Sequence, residues 1–406
     1  MKPVYLDNNA TTRVDPVVVD TMVRFFTEDY GNASSMHSFG SSVGAALKQA
    51  RASVQRLIGA EYDHELVFTS GGTEADNTAL LSALETQGGR NEIVTTKVEH
   101  PAILSLCKHL EDTRGVKVHY VPVDSMGRLD IDAYRAALGP RTAIASVMWA
   151  NNETGTLFPV DRLAELAHEA GALFHTDAVQ AVGKIPIDLK STEIDMLSLS
   201  GHKLHGPKGV GALYVRRGVR MRPLVRGGHQ ERGRRAGTEN APGVIGLGKA
   251  AELALQHFGD EQNRVRALRD RLERGILESV DRSILMGDPE TRLPNTTNIA
   301  FEFIEGEAIL LLLNRVGIAA SSGSACTSGS LEPSHVLRAM NVPYTCAHGA
   351  IRFSLSRENV DADVDRVLEQ LPSVIANLRS ISPFWKDGKD ETGASPAQQE
   401  FKPTYA

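Results

Sequence analysis

The chain of 406 residues is 41% hydrophobic and 23% charged and carries a net charge of −6 at pH 7, the composition of a soluble globular protein with room for a large core and more than one domain. The negative balance excludes a nucleic-acid footprint spread over the whole surface. The apolar stretch from Ala308 to Leu313 is far too short to cross a bilayer, and the start MKPVYLDNNATTR has no signal-peptide core, so a cytoplasmic protein without a membrane partner is expected.

From Glu65 onward short β-rich runs alternate with helical patterns. LVFT at 66–69 is followed by a helix from Thr73, EIVTT at 92–96 by a helix from Pro101, then VKVHYVPV at 116–123. TAIASVMW at 142–149 leads to a helix from Val160, then ALFHT at 172–176, DMLSLS at 195–200 and GALYV at 211–215. This rhythm predicts βαβ units, hence an α/β fold with a mostly parallel sheet covered by helices. Ligands of such sheets gather at the carboxyl ends of the strands. Beyond Pro242 the pattern turns helical, a connector to a second domain. Leu293 to Arg357 mixes strand and helix, and Val364, Val367, Leu368, Leu371 and Ile375 keep helical spacing. A large domain over 15–257, a smaller α+β domain over 258–382 and a flexible tail over 383–406 are expected. Phe384, Trp385, Phe401 and Tyr405 suit the tail to docking on a partner, and an ordinary frayed end is the alternative.

Three segments after predicted strands carry candidate chemistry. In SLSGHKLHGPKGVGALY (198–214) a glycine-bounded turn presents Ser200, His202 and Lys203. A lysine is protonated at neutral pH and a poor nucleophile, but condensing with a cofactor aldehyde needs no deep pKa shift. An ordinary surface loop is the competing reading. HTDAVQAVGK (175–184) sets Asp177 and Gln180 just beyond a strand. A buried carboxylate there would keep a pyridinium nitrogen protonated, although an aspartate also suits a helix N-cap. TSGGTEADN (69–77) is a strand, a Gly-Gly turn and a helix start, with Gly72 and Thr73 at the point where amides and dipole would hold a phosphate. It matches neither the Walker A loop nor the dinucleotide fingerprint. Phosphate cradle, carboxylate and lysine together describe a pyridoxal 5′-phosphate site.

Cys326 lies alone in the small-residue run AASSGSACTSGS (319–330). That run reads as a mobile arm bearing one nucleophilic thiol, or as a solvent loop with an incidental cysteine. Cys107, Cys326 and Cys346 form no C-x-x-C pair, so neither a disulfide framework nor a metal site is indicated. Eight arginines between Arg216 and Arg235 have no interleaved aromatics, which favours an active-site rim or dimer edge over nucleic acid.

With YLDNNATT (5–12), EHPAIL (99–104), NNETGT (151–156), RAGTEN (235–240) and RFSLSR (352–357) added, the chain resembles the cysteine desulfurases, members of the class V aminotransferase family with pyridoxal-phosphate fold type I. The likeness covers nearly everything but the tail. The SSGSAC form, RRAGTEN and ISPFW are most similar to the nitrogen-fixation (NifS) branch. The resemblance implies an aspartate-aminotransferase-like fold whose N-terminal segment, 1–14, joins the small domain. It implies that Lys203 carries the cofactor and moves protons at Cα, that Asp177 pairs with the pyridine nitrogen and Gln180 with the ring hydroxyl, and that His100 stacks on the ring. Gly72, Thr73, Ser200 and His202 would hold the phosphate, and Thr238 would reach that of the neighbouring subunit, making a homodimer obligatory. Asn152 and Arg352 would bind the carboxylate of L-cysteine. Cys326 would take its sulfur as a persulfide, leaving L-alanine, and pass it to an iron–sulfur scaffold for nitrogenase maturation. A general iron–sulfur sulfur donor and a selenocysteine lyase are the rival roles. An aminotransferase has no use for Cys326, and a non-catalytic scaffold has none for Lys203 and Asp177.

Overall fold

The computed structural model describes residues 3–322 and 333–385. Its N-terminal part runs β1 (Val4–Tyr5), α1 (Pro16–Thr27), α2 (Ser38–Ile58), β2 (Leu66–Thr69), α3 (Gly72–Thr86), β3 (Glu92–Thr96), α4 (Pro101–Arg114) and β4 (Lys117–Val121). It continues with α5 (Ile131–Ala137), β5 (Thr142–Ser146), α6 (Val160–Glu169), β6 (Leu173–Asp177), β7 (Met196–Ser200), β8 (Gly211–Val215) and α7 (Ala241–Gln256). Seven strands form one sheet in the order β2-β8-β7-β6-β5-β3-β4, in which only β8 runs against its neighbours. The sheet is buried on both faces. One apolar cluster holds Phe174, Leu197, Tyr214 and Leu247, the other Ile93, Ile144, Met196 and Leu213, which is why its strands read as continuous apolar runs.

The strands end earlier than the apolar runs suggest. β4 stops at Val121 because Pro122 cannot donate to a ladder, and β5 stops at Ser146 while Val147 and Trp149 still donate to the carbonyls of His175 and Asp177. The helix expected from Thr73 starts one residue sooner, at Gly72.

The remainder comprises α8 (Phe258–Asp260), a π-helical turn Glu261–Val265, α9 (Arg266–Ser279), β9 (Ser283–Met286), β10 (Thr296–Phe301), α10 (Gly306–Arg315), β11 (Ile318–Ala319) and β12 (Ser321–Ser322). After residue 332 come α11 (His335–Ala339), α12 (Tyr344–Ala347), β13 (Ala350–Ser354) and α13 (Asp361–Ile381). Strands β12-β13-β10-β9 make an antiparallel sheet, and β1 pairs in parallel with β11. A third apolar cluster joins Val4 and Leu6 to Leu272, Ile299, Phe353, Val367, Leu371 and Ile375, so the N-terminal segment contributes to the core of the later elements.

Pro383 to Trp385, expected at the start of a flexible tail, belong to the folded body. The Trp385 ring lies 4.2 Å from the Arg379 guanidinium and 6.2 Å from the Phe303 ring, contacts that tie the chain end to the small sheet. Phe401 and Tyr405 lie outside the described residues.

Candidate active site

The carboxyl ends of β2, β3, β6 and β7 converge, and each supplies a group. At the end of β2 the chain turns through Gly71 into α3, whose first turn has no capping side chain. The amides of Gly72 and Thr73 find no acceptor among the described residues, and they sit at the positive end of a 15-residue helix. A side chain at Gly72 would place its Cβ 2.7 Å from Val179 Cγ2, so only glycine leaves this cradle open. Ser200, buried at the end of β7, faces the same turn. Glu74, one residue beyond Thr73, would repel an anion, but its carboxylate is engaged by Arg235 Nε at 2.9 Å and by the Ser70 amide at 2.7 Å.

β3 leads to His100, the N-cap of α4, with Pro101 at the first helical position. Its Nδ1 accepts the Ala102 amide at 3.1 Å, which puts the ring proton of the neutral form on Nε2. Burial holds its pKa below the ordinary histidine value. At the end of β6 the Asp177 Oδ1 accepts the Val179 amide at 2.9 Å, and Oδ2 has no hydrogen bond among the described residues. The aspartate thus caps the turn that follows and keeps one oxygen in hand. Burial pushes its carboxyl pKa up, and the charges of His100 and Lys203 oppose that rise.

Beneath Asp177, His175 on β6 bridges Ser146 Oγ and Ser198 Oγ, each at 2.9 Å, and stands 3.6 Å from Asp76 of α3. The His175 ring is held neutral, its pKa pushed down to about 3 by burial. Burial and then the neighbouring Asp177 charge drive the Asp76 carboxyl well above the carboxylate range. Glu99, beside His100, receives the Thr96 hydroxyl and the Met148 amide. Burial raises its pKa to about 8.

The turn after β7 carries His202 and Lys203. Lys203 Nζ donates to the carbonyls of Asn9 at 2.5 Å and Ala10 at 2.7 Å. His202 Nδ1 meets Thr11 Oγ1 at 3.1 Å, and burial lowers its pKa to about 4. Asn9 is the hub of the site. Its amide nitrogen Nδ2 donates to the Asn152 carbonyl at 3.1 Å and to Thr296 Oγ1 at 2.9 Å, and its own carbonyl also accepts Gln180 Nε2 at 2.9 Å. Arg352 on β13 donates to the Asn152 carbonyl at 3.0 Å and to Asp7 Oδ1 at 2.7 Å. Asn152 keeps its side-chain amide without a partner among the described residues.

Two flanks of the stretch 323–332 land on this constellation. Ser321 of β12 pairs with Arg352, while Ser334 Oγ donates to Glu153 Oε2 at 2.5 Å and caps α11. His335 Nε2 contacts the Glu99 carbonyl at 2.9 Å. Cys326 itself lies outside the described residues. Thr238 is exposed, in the segment that follows the arginine-rich stretch. A cavity of about 470 Å³ at that stretch, lined by Arg51, Glu231, Arg234 and Arg235, includes none of Lys203, Asp177, His100 and Arg352. Asn9, Asp76, Glu99 and His175 all lie inside motifs quoted above, yet the sequence assigns none of them a role. A period-2 signal was available for His175, two residues before Asp177 and therefore on the same face of β6.

The donor set fits pyridoxal phosphate: an open helix start for an anion, an aspartate oxygen in hand beside a histidine, and a lysine amine held by two carbonyls. These features on a mostly parallel sheet with a smaller antiparallel one define a transferase of pyridoxal-phosphate fold type I. The chain matches the aminotransferase class-V family over residues 4–367. It is 73% identical over 406 residues, the full length of both chains, to a cysteine desulfurase of Gluconacetobacter diazotrophicus. It is 62% identical, again over the full length of both, to the cysteine desulfurase NifS of Azotobacter vinelandii. The solved structure of a NifS-like protein superposes with a TM-score of 0.86 at 39% identity, covering 93% of this chain and 100% of that one. That of SspA in complex with cysteine gives 0.78 at 33%, covering 88% and 99%. The chain belongs to the class-V aminotransferase family and, within it, to the cysteine desulfurases.

Proposed function

We propose that the protein uses pyridoxal 5′-phosphate to take sulfur from L-cysteine, carries it as a persulfide on Cys326, and delivers it to an iron–sulfur scaffold serving nitrogenase maturation. The observation that carries this reading is the convergence of Lys203, Asp177, His100 and the open start of α3 at one end of the sheet. The nitrogenase assignment rests on the likeness to NifS.

The amides of Gly72 and Thr73, with Ser200 and His202, would hold the phosphate. Asp177 would pair with the ring nitrogen and Gln180 with the ring hydroxyl, and Thr238 would serve the site of the neighbouring subunit in a homodimer. When bound, the cofactor supplies an electron sink for the pair left as substrate Cα gives up its proton. Lys203 takes that proton; its two carbonyl partners, Asn9 and Ala10, hold the amine in place before and after the transfer. Arg352 and Asn152 orient the substrate carboxylate. His100, neutral and carrying its proton on Nε2, serves the sulfur side of the substrate. The Cys326 thiolate attacks that sulfur, the Cβ–S bond breaks, and Cβ takes up a proton, so that cysteine plus thiol becomes alanine plus persulfide. Cys107 and Cys346 are poor candidates for this step, because burial pushes both thiols up to about 12. Cys326 is four residues past Ser322, a reach of at most about 14 Å from a strand paired with Arg352.

The test is direct. Protein reconstituted with pyridoxal phosphate should turn yellow, release alanine from cysteine in equal amount with sulfide when a thiol reductant is present, and show one extra sulfur on the Cys326 peptide by mass spectrometry. An extra sulfur confined to Cys107 or Cys346 overturns the assignment of the thiol.

A further inference from the structure

Beside Lys203 lies a small, partly open cavity of about 20 Å³, lined by Lys184, Lys203, His205, Glu261 and Arg357 among others, room for a single water molecule. Two of these groups are charged residues that proteins rarely bury: Lys184 is 6% exposed and Glu261 9%. Glu261 Oε2 is sealed from solvent and has no hydrogen-bond partner among the described residues. The backbone here is unusual too. Glu261 opens the π-helical turn between α8 and α9, and the next residue, Gln262, donates its side-chain amide to the Lys184 carbonyl. Single π turns of this kind cost regular helix geometry and occur frequently at functional sites.

The Lys184 ammonium donates to Gln180 Oε1 at 3.0 Å. An ammonium has only donors, so the oxygen end of the Gln180 amide must face it. The nitrogen end is thereby turned to the Asn9 carbonyl, 2.9 Å away, the same oxygen that receives Lys203. Both neighbours enforce one orientation. Of the two hydrogens on Gln180 Nε2, Asn9 takes one and the other remains for a ligand.

We propose that Lys184 is a positioning residue for the cofactor: through Gln180 it fixes a hydrogen-bond donor toward the ring oxygen, and Glu261, across a bridging water, balances its buried charge. The inference rests on the reading above in which Gln180 faces that oxygen. A donor and a nearby cation both favour the ionised oxygen, so the loaded protein changes colour at a lower pH than it would without them. The other charged or titratable groups facing Lys184 are Lys203 and His205 from the turn after β7, His257 at the end of α7, Arg357 beyond β13 and, through space, Arg352. Burial lowers the Lys184 pKa and raises that of Glu261, the cost expected of a charge pair kept for position.

The experiment is a pH titration of the visible band in protein loaded with pyridoxal phosphate, for wild type, Lys184→Met and the double variant Lys184→Met/Glu261→Gln. The double variant leaves no unpaired carboxylate and carries the test if the single one does not fold. Loss of one hydrogen bond to a charged oxygen should move the midpoint up by roughly one pH unit in both variants. Lys184→Arg, which keeps a donor-only cation, should recover much of that shift. A purely structural lysine would change the melting temperature and leave the midpoint where it was. A loaded, folded variant whose midpoint stays within about 0.2 unit of wild type sinks the Lys184 assignment alone. If wild type develops no visible band with pyridoxal phosphate, the cofactor reading itself fails and takes this inference with it.

Discussion

Replacing Arg352 by alanine separates binding from chemistry. The guanidinium is held from two sides, by Asp7 Oδ1 at 2.7 Å and by the Asn152 carbonyl at 3.0 Å, with a side chain only 6% exposed. It is therefore fixed before substrate arrives, and a carboxylate meeting it gains a charge-assisted contact at little ordering cost. Such a contact contributes about 1.5–3 kcal/mol, a factor of about 10–150 in affinity. Because the carboxylate takes no part in bond changes, the loss is uniform across ground and transition states and should appear in KM while kcat changes little. The fold should survive, since Asp7 is 23% exposed and can be hydrated once its partner is gone, at a cost of about 1–2 kcal/mol. Alanine release at varied cysteine with excess reductant measures both constants, and Arg352→Lys should fall between, keeping charge but not the fork. A KM within about twofold of wild type, in a variant that keeps its melting temperature and yellow colour, refutes the carboxylate role.

Lys203→Ala should retain no visible band after gel filtration and release no alanine; near-normal alanine release would remove the lysine from the mechanism. Asp177→Asn, which can still cap Val179 but carries no charge, should slow exchange of the cysteine Cα hydrogen with solvent deuterium by on the order of a hundredfold, and an unchanged exchange rate speaks against the pairing. Glu99 holds its proton in the fold to about pH 8 because it is buried. The stability linked to that raised pKa is fully present below the unfolded value near 4.5 and is lost as pH rises through about 8. Glu99→Gln mimics the protonated form, so urea midpoints of the cofactor-free protein should diverge in its favour between pH 5 and 8.5, by up to about 3–5 kcal/mol. Parallel profiles for the two proteins would place the Glu99 proton elsewhere. Trp385→Ala should lower stability by about 1–2 kcal/mol through loss of the stack on Arg379, read as a shifted denaturation midpoint with unchanged KM.

The sheet was legible because both of its faces are covered, so that LVFT, EIVTT and DMLSLS announce themselves as apolar runs between helical patterns. Lys203, Asp177, His100 and the α3 start could be singled out because each follows a strand in a short motif whose residue types narrow the chemistry. Asn9 was not, since its role depends on carbonyls, amides and hydroxyls contributed by segments far apart in the chain, and no local pattern records that. Glu99 and Asp76 sit in ordinary helical or turn contexts; only burial, which is a tertiary property, makes them proton holders. Lys184 lies inside a quoted motif without a role read from it, because four-residue spacing from Gln180 looks like any helical pair until the lysine is seen to be buried. The end at Trp385 was misjudged for a related reason: an apolar pattern of period 3.6 ends with α13, but one aromatic ring suffices to hold three more residues.

The Asn9 hub also dictates when the protein can become an enzyme during its own synthesis. Asn9 leaves the ribosome first, yet its backbone amide waits for the Ser354 hydroxyl, 345 positions later, and its side chain for Thr296, 287 positions later. At about 5–20 residues per second that delay is on the order of 20–70 s. Through this interval the large sheet can assemble while the carbonyl that steadies Lys203 is still unfastened. A chain cut short between α7 and β10 therefore keeps Lys203 and the start of α3 but not the contacts that fasten Asn9 between them.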